Sequence, residues 1–133
     1  MTLDNIHKQL IDSLKTGVML LDCDLRLRYI NMEAEQLLAI SDSKANNQFI
    51  GELLLGADEE IREIRMAMDK GISVTRRMAE LHLKHRRSIL VDYTINPYKA
   101  GGEVSALLEL NSLEHAQRIN QEEILSGARA TTQ

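Results

Sequence analysis

Between Leu20 and Leu38 the chain reads Leu-Leu-Asp-Cys-Asp-Leu-Arg-Leu-Arg-Tyr-Ile-Asn-Met-Glu-Ala-Glu-Gln-Leu-Leu, an order that leaves few ways to fold. Asp22-Cys23-Asp24 is a tight polar turn between two β-prone runs, which makes the flanking segments a hairpin. Leu25, Leu27 and Tyr29 alternate with Arg26 and Arg28, so one face of the second strand is buried and the other is wet. Asn31 then suits a helix N-cap, because its side-chain oxygen can accept from a free N–H of the first turn. Glu33 and Glu35 follow where the helix dipole favours negative charge. A short helix over 32–39 is predicted.

The 133 residues are one domain's worth and allow burial of roughly 68% of the unfolded surface. Aromatic residues are scarce: Tyr29, Tyr93, Tyr98 and Phe49, with no Trp. The core is therefore aliphatic. That bears on function, since flavins, haem and nucleic-acid bases usually meet stacking or packing aromatics in their sites. A formal charge of -4 gives no general attraction to phosphate backbones, so a nucleic-acid partner is not expected. Cys23 is the single cysteine, which excludes an internal disulfide and suits a reducing compartment. No stretch approaches the ~20 apolar residues of a membrane span, and the N-terminal residues lack the apolar core of a signal peptide. A cytoplasmic location and no membrane partner are the expectation.

Around the hairpin, Leu3, Ile6, Leu10 and Leu14 share one stripe of a predicted N-terminal helix, which Gly17 ends. Such a helix is marginal alone, so it is expected to dock on the sheet or on a second copy of itself. Val18–Asp22 is the first strand, apolar enough to be covered on both sides. Residues 41–48 form a polar loop, Phe49–Leu55 a brief helical turn, and Glu59–Lys70 a helix with Asp58 as its cap and Gly71 as its stop. Ile61, Ile64 and Met68 are its buried stripe.

Three long strands follow. In the first, Ile72–His85, Val74, Arg76 and Met78 lie on one face and then Ala79, Leu81 and Leu83 take over on the other, which predicts a β-bulge near Met78. The second, Ser88–Tyr98, buries Ile89, Val91, Tyr93 and Ile95, with Arg86-Arg87 at the preceding turn. Pro97 belongs near its end because it cannot donate to a central ladder. After a turn at Ala100-Gly101-Gly102, the third runs from Glu103 to Asn111. From Ser112, a capping residue, the pattern turns helical. Leu113 and Ala116, then Ile119 or Asn120, then Ile124 make a thin stripe there, of the kind that forms a two-helix seam.

This order of helix, two strands, short helices, three strands and exit helix resembles the PAS sensor family. The resemblance implies an α+β fold: a five-stranded antiparallel sheet with short helices on one face, preceded by the N-terminal amphipathic helix. More narrowly, Ser13-Leu14-Lys15-Thr16-Gly17-Val18-Met19-Leu20-Leu21-Asp22 is similar to the N-terminal sensor region of bacterial nitrogen-regulation histidine kinases of the NtrB type. Asn31–Leu38, the Glu-Leu-Leu at 52–54 and the segment 117–133 add to it. Many PAS domains have Pro directly after the Asn, where this chain has Met32; Pro suits that first helical position, but Met is tolerated.

The resemblance implies a cytoplasmic homodimeric kinase, controlled by a PII-type signal protein, that phosphorylates a response regulator. The family's phosphoacceptor is a His followed by Glu and then Asn-Pro, and the sequences after His7, His82, His85 and His115 all fail it. No ATP-lid glycine motif is present either. The chain therefore reads as a sensor fragment: a dimerisation helix over 1–16, a PAS core over 17–112 and a signalling linker over 113–133. Leu3, Ile6, Leu10 and Leu14 are the expected dimer interface.

Other chemistry has little footing. Cys23 lies in a turn, whereas the flavin-adduct cysteine of light-sensing PAS domains lies on a helix in an Asn-Cys-Arg motif. The Glu59–Lys70 helix holds no axial His for haem. His82 and His85, three apart on a strand, point to opposite faces and cannot easily share a metal. Acid pairs such as Glu59-Glu60 and Glu122-Glu123 read as solvated faces, and no catalytic arrangement of nucleophile, base and orienting group is recognisable. Met66, Met68 and Met78 read as gap-filling core. No cofactor and no metal are expected. The alternative reading is a PAS domain that binds a small molecule between its sheet and helices, in another kinase or a transcription regulator.

Overall fold

The first hairpin closes around the carboxylate of Asp22. Its Oδ1 accepts from Asp24 N–H at 2.9 Å and Arg26 N–H at 3.0 Å, and its Oδ2 from Arg28 Nε at 2.7 Å. The paired strands are β1 (Gly17–Leu21) and β2 (Leu27–Ile30), with Met19 opposite Ile30 and Leu20 opposite Tyr29. All of β1 is buried, the two-sided cover its apolar run predicts. Leu25 is in the turn rather than in β2: it takes a left-handed φ of 59° while its side chain stays fully buried. This computed structural model describes residues 15–84 and 87–113. The predicted helix with Leu3, Ile6, Leu10 and Leu14 lies outside the described residues. So do His85, Arg86, Ala116, Asn120 and Ile124.

Asn31 caps α1 (Met32–Leu38) by accepting from Ala34 N–H, as expected of that residue at that place. The polar stretch after it is not all loop, for Asp42–Ala45 makes one helical turn, α2. The helical turn predicted over 49–55 is shorter, α3 (Ile50–Leu53), because Leu54 is already extended. Leu54–Leu55 then pairs with Leu83 and His82 as a two-residue strand, β3. The sheet thus has six strands among the described residues instead of five.

The next helix, α4 (Asp58–Lys70), has Ala57 in the cap position, with no side-chain cap bond. Asp58, predicted to cap it, instead joins Glu59 and Glu60 in an acidic first turn, where the dipole favours them. Gly71 ends it with a left-handed φ of 65°.

Three long strands complete the sheet: β4 (Val74–Leu83), β5 (Ile89–Ala100) and β6 (Glu103–Ser112). Their order is β2-β1-β6-β5-β4-β3, with every neighbour antiparallel. The bulge lies where the parity of β4 changes. The register slips between Arg76 and Ala79, Met78 has a φ of 56°, and its freed N–H donates to Asp92 Oδ1 at 2.9 Å. Gly101 and Gly102 both have positive φ and join Ala100 to Glu103 in a two-residue hairpin. Pro97 lies past the last pair with β4, Val74 to Ile95, so it faces β6 alone. Ser112, expected to cap a helix, is the final residue of β6.

One face of the sheet carries the core. Met19, Leu21, Ala79, Leu81, Leu83, Ile89, Val91, Tyr93, Ile95, Ala106, Leu108 and Leu110 pack there under α1, α3 and α4. A close approach tightens the layer at Gly17, where an added Cβ would come within 3.2 Å of the Cα of Ala34 on α1. Of the three methionines predicted to fill the core, only Met68 packs against it; Met66 and Met78 are exposed. The helical face of Met66 turns outward, and the bulge throws Met78 out of line with the buried positions.

Candidate functional site

Three places on this scaffold bear on function. The first is the space between sheet and helices. Ile61 and Ile64 of α4 and Ile50 and Leu54 close over Tyr93, Leu108 and Leu110, leaving a cavity of about 20 Å³. That is room for about one water, whereas pockets for organic ligands run to roughly 300 Å³ or more. The aliphatic composition has filled the interior with side chains.

The second is a polar cluster at the cavity's edge. The register places Arg76 of β4 opposite Tyr93 of β5, on the core face. Glu63 reaches down from α4 above them. Its Oε1 accepts from Arg76 Nη1 at 2.6 Å and from the Tyr93 hydroxyl at 2.9 Å. Arg76 Nη2 also lies 3.4 Å from Glu59 Oε1. Desolvation, with the Glu63 carboxylate beside it, pushes the Tyr93 phenol well above its ordinary range, against the opposing pull of Arg76. Glu59 and Glu60 are thus more than a solvated face: one pairs with Arg76, the other borders the cavity.

The third is the end of the sheet where the core's first and last residues meet. Asn31 is fully buried, and beyond its bond to Ala34 its Oδ1 accepts from Val18 N–H at 2.8 Å. Its Nδ2 donates to the Thr16 carbonyl at 2.9 Å. The Thr16 hydroxyl in turn donates to Asn111 Oδ1 at 3.1 Å, and Gly17 pairs with Leu110. Leu113, predicted to begin the signalling stripe, follows β6 directly and is half-buried.

The outer sheet face is divided. Toward β4 and β5 it is polar, with Thr75 bonded to Thr94 and Ser73 to Asn96. Toward β1 it is apolar: Leu20 is flanked by Tyr29 and Leu107, and Val18 shares its face. Val18 and Leu20 are buried although they point away from the core cluster.

Cys23 is exposed, with its Sγ 3.6 Å from Glu103 Oε2. Desolvation and then the carboxylates of Asp24 and Glu103 raise its thiol pKa, the reverse of what a reactive cysteine needs. His82 is exposed beside Glu80. Among the described residues no three His, Cys, Asp or Glu side chains gather as a metal site. No helix among them is long and apolar enough to cross a membrane.

No family model matches the chain. The sensory histidine kinase/phosphatase NtrB of Vibrio alginolyticus is 22% identical over 118 residues, which are 89% of this chain and 33% of that protein. The chain thus spans about a third of that relative's length. Among solved structures, the PAS domain of nitrogen regulation protein NR(II) from Vibrio parahaemolyticus matches with a TM-score of 0.68 at 20% identity, over 82% of this chain and 99% of that one. A PAS domain from a two-component sensor histidine kinase matches with a TM-score of 0.66 at 10% identity, over 80% and 93%. With the strand order and the helices on one face, these likenesses give the chain the PAS fold and make it similar to the sensor region of NtrB.

Proposed function

We propose that this chain is the regulatory PAS domain of a two-component sensor histidine kinase for nitrogen regulation, and that it works as a homodimer without a cofactor. The observation that carries the reading is the joining of the core's two ends through Thr16, Asn31 and Asn111. A shift in the segment before Gly17 reaches the segment after Ser112 through one hydrogen-bonded group, without passing through a ligand. The cavity of about 20 Å³ between α4 and the sheet supports the same view, since it is too small for an organic effector; the larger space of about 490 Å³ is a partly open groove beside Ile40, Lys44, Glu52 and Lys84.

In this reading residues 1–16 form the dimerisation helix. Leu3, Ile6, Leu10 and Leu14 pack beside the apolar half of the outer sheet face and against their copies. Residues 113–133 carry the signal onward, with Leu113, Ala116, Asn120 and Ile124 on the seam between paired helices and Asn120 fixing their register. The paired helices shift between two arrangements, which is a change of population and involves no chemical step. The kinase chemistry, the PII-type signal protein and the response regulator belong to the whole protein, in the cytoplasm. Sedimentation of the 133-residue chain tests the reading: a dimer is expected, and Leu3→Glu with Leu10→Glu makes it a monomer of unchanged helix content. A monomeric parent chain overturns the homodimer, and a dimer indifferent to both substitutions removes the N-terminal stripe from its interface.

A further inference from the structure

Helix α4 is held to the sheet by apolar contact and by a polar cluster. Along its 13 residues, Ile64 and Ala67 are buried, while Ile61 and Met68 are partly so. Ile61 and Ile64 lie over the one-water cavity, so part of the apolar contact beneath the helix is missing. Gly56 and Gly71 stand at its two ends, both left-handed, with φ of 58° and 65°. A Cβ added to either would meet nothing within 4 Å, so both glycines have room to turn, although Ala57 beside Gly56 is buried in the core. Beside the buried contacts of Ile64 and Ala67, the polar tie to the sheet centres on Glu63, which takes charge-assisted bonds from Arg76 and Tyr93 on two strands, with Glu59 also 3.4 Å from Arg76.

We propose that α4 is a lid that swings from the sheet as a unit, pivoting at Gly56 and Gly71, and that Glu63 is the latch that sets how often it opens. Hinges of this kind are a few residues at element ends that absorb the change in backbone angles. Local opening of single elements is an ordinary part of native-state dynamics. Here the structure supplies its parts: a left-handed glycine at each end, a void below and a polar tie across the gap. Opening exposes the faces of Tyr93 and Leu108 that line the cavity. The device depends on the fold alone and stands whether or not the chain dimerises.

Hydrogen exchange on the 133-residue chain tests it. With Arg76→Met, amides of α4 from Arg62 to Asp69 exchange at least tenfold faster, while those of Val91, Ile95 and Leu108 keep their parent rates. Glu63→Gln, a smaller change, moves the α4 amides in the same direction by a lesser factor. Acceleration of helix and sheet by one common factor, or no acceleration of the helix, overturns the lid. A Leu108→Cys probe in a Cys23→Ser background separates swinging from fraying. Its reaction with a soluble disulfide reagent speeds up tenfold on adding Arg76→Met; an unchanged rate beside faster helix amides means that α4 frays in place, and the proposal fails.

Discussion

Thr16 and Asn111 stand 95 positions apart in the chain, yet the hydroxyl of one donates to the side-chain oxygen of the other at 3.1 Å. The Thr16 carbonyl is held by Asn31, which also accepts from the N–H groups of Val18 in β1 and Ala34 in α1. The start of the core, its capped helix and its last strand are one hydrogen-bonded unit.

Asn31 is thus worth more than a cap. Asn31→Ala loses the cap of α1, about 1 kcal/mol, and leaves the buried Val18 N–H and the Thr16 carbonyl without this partner. Urea unfolding of the variant should show a loss of roughly 2–4 kcal/mol. A loss below about 1 kcal/mol, as for a cap alone, contradicts the threefold role.

Asp22 makes the hairpin turn sensitive to acid. Desolvation works to raise its pKa, but the bonds from Arg26 N–H, Arg28 and Asp24 N–H outweigh it and hold the carboxyl below its ordinary value of 3.8. A carboxyl lowered in the folded state stabilises above the unfolded pKa and loses that contribution as pH falls through the folded one. Stability should therefore drop on acidification below about pH 4. Asp22→Asn should start lower at neutral pH and show a shallower drop, read from thermal melts across the acid range.

Tyr93 acts at the opposite end of the scale. Its phenol is raised above the ordinary value of 10.0, so above that pH the unfolded chain releases a proton that the folded chain keeps. The folded state then binds more protons than the unfolded state, and stability falls as pH rises. Tyrosinate absorbance of the folded chain should leave Tyr93 untitrated past pH ~10.5, until unfolding. In Tyr93→Phe that silent group should disappear and the alkaline loss of stability should shrink.

Much of this architecture was legible in local pattern. The parity change along Val74, Arg76, Ala79, Leu81 and Leu83 requires an extra residue, and the bulge at Met78 provides it. Asn31 before an acidic first turn specifies a helix start wherever it occurs. What escaped depends on contacts far apart in the chain. Glu63, Arg76 and Tyr93 meet because a helix crosses a strand pair in a given register, and on α4 alone Glu63 is one acid among several. The grip of Asn31 on Thr16 needs β1 beside α1, which the bare Gly17 permits but does not announce. β3 is two residues long, too short for any periodicity to mark. The exposure of Met66 and Met78 follows from helix rotation and the bulge, neither visible in hydrophobicity alone.

The central claim is that two copies of this domain send their signal out along paired segments following Leu113. Spin labels at Ile124→Cys in a Cys23→Ser background, read by pulsed dipolar electron resonance, measure the distance between those segments in the assembled chain. The account predicts a short distance with a narrow distribution, broadened when Thr16→Val cuts the bond to Asn111. Absence of dipolar coupling between labels in a sedimentation-verified dimer would contradict it.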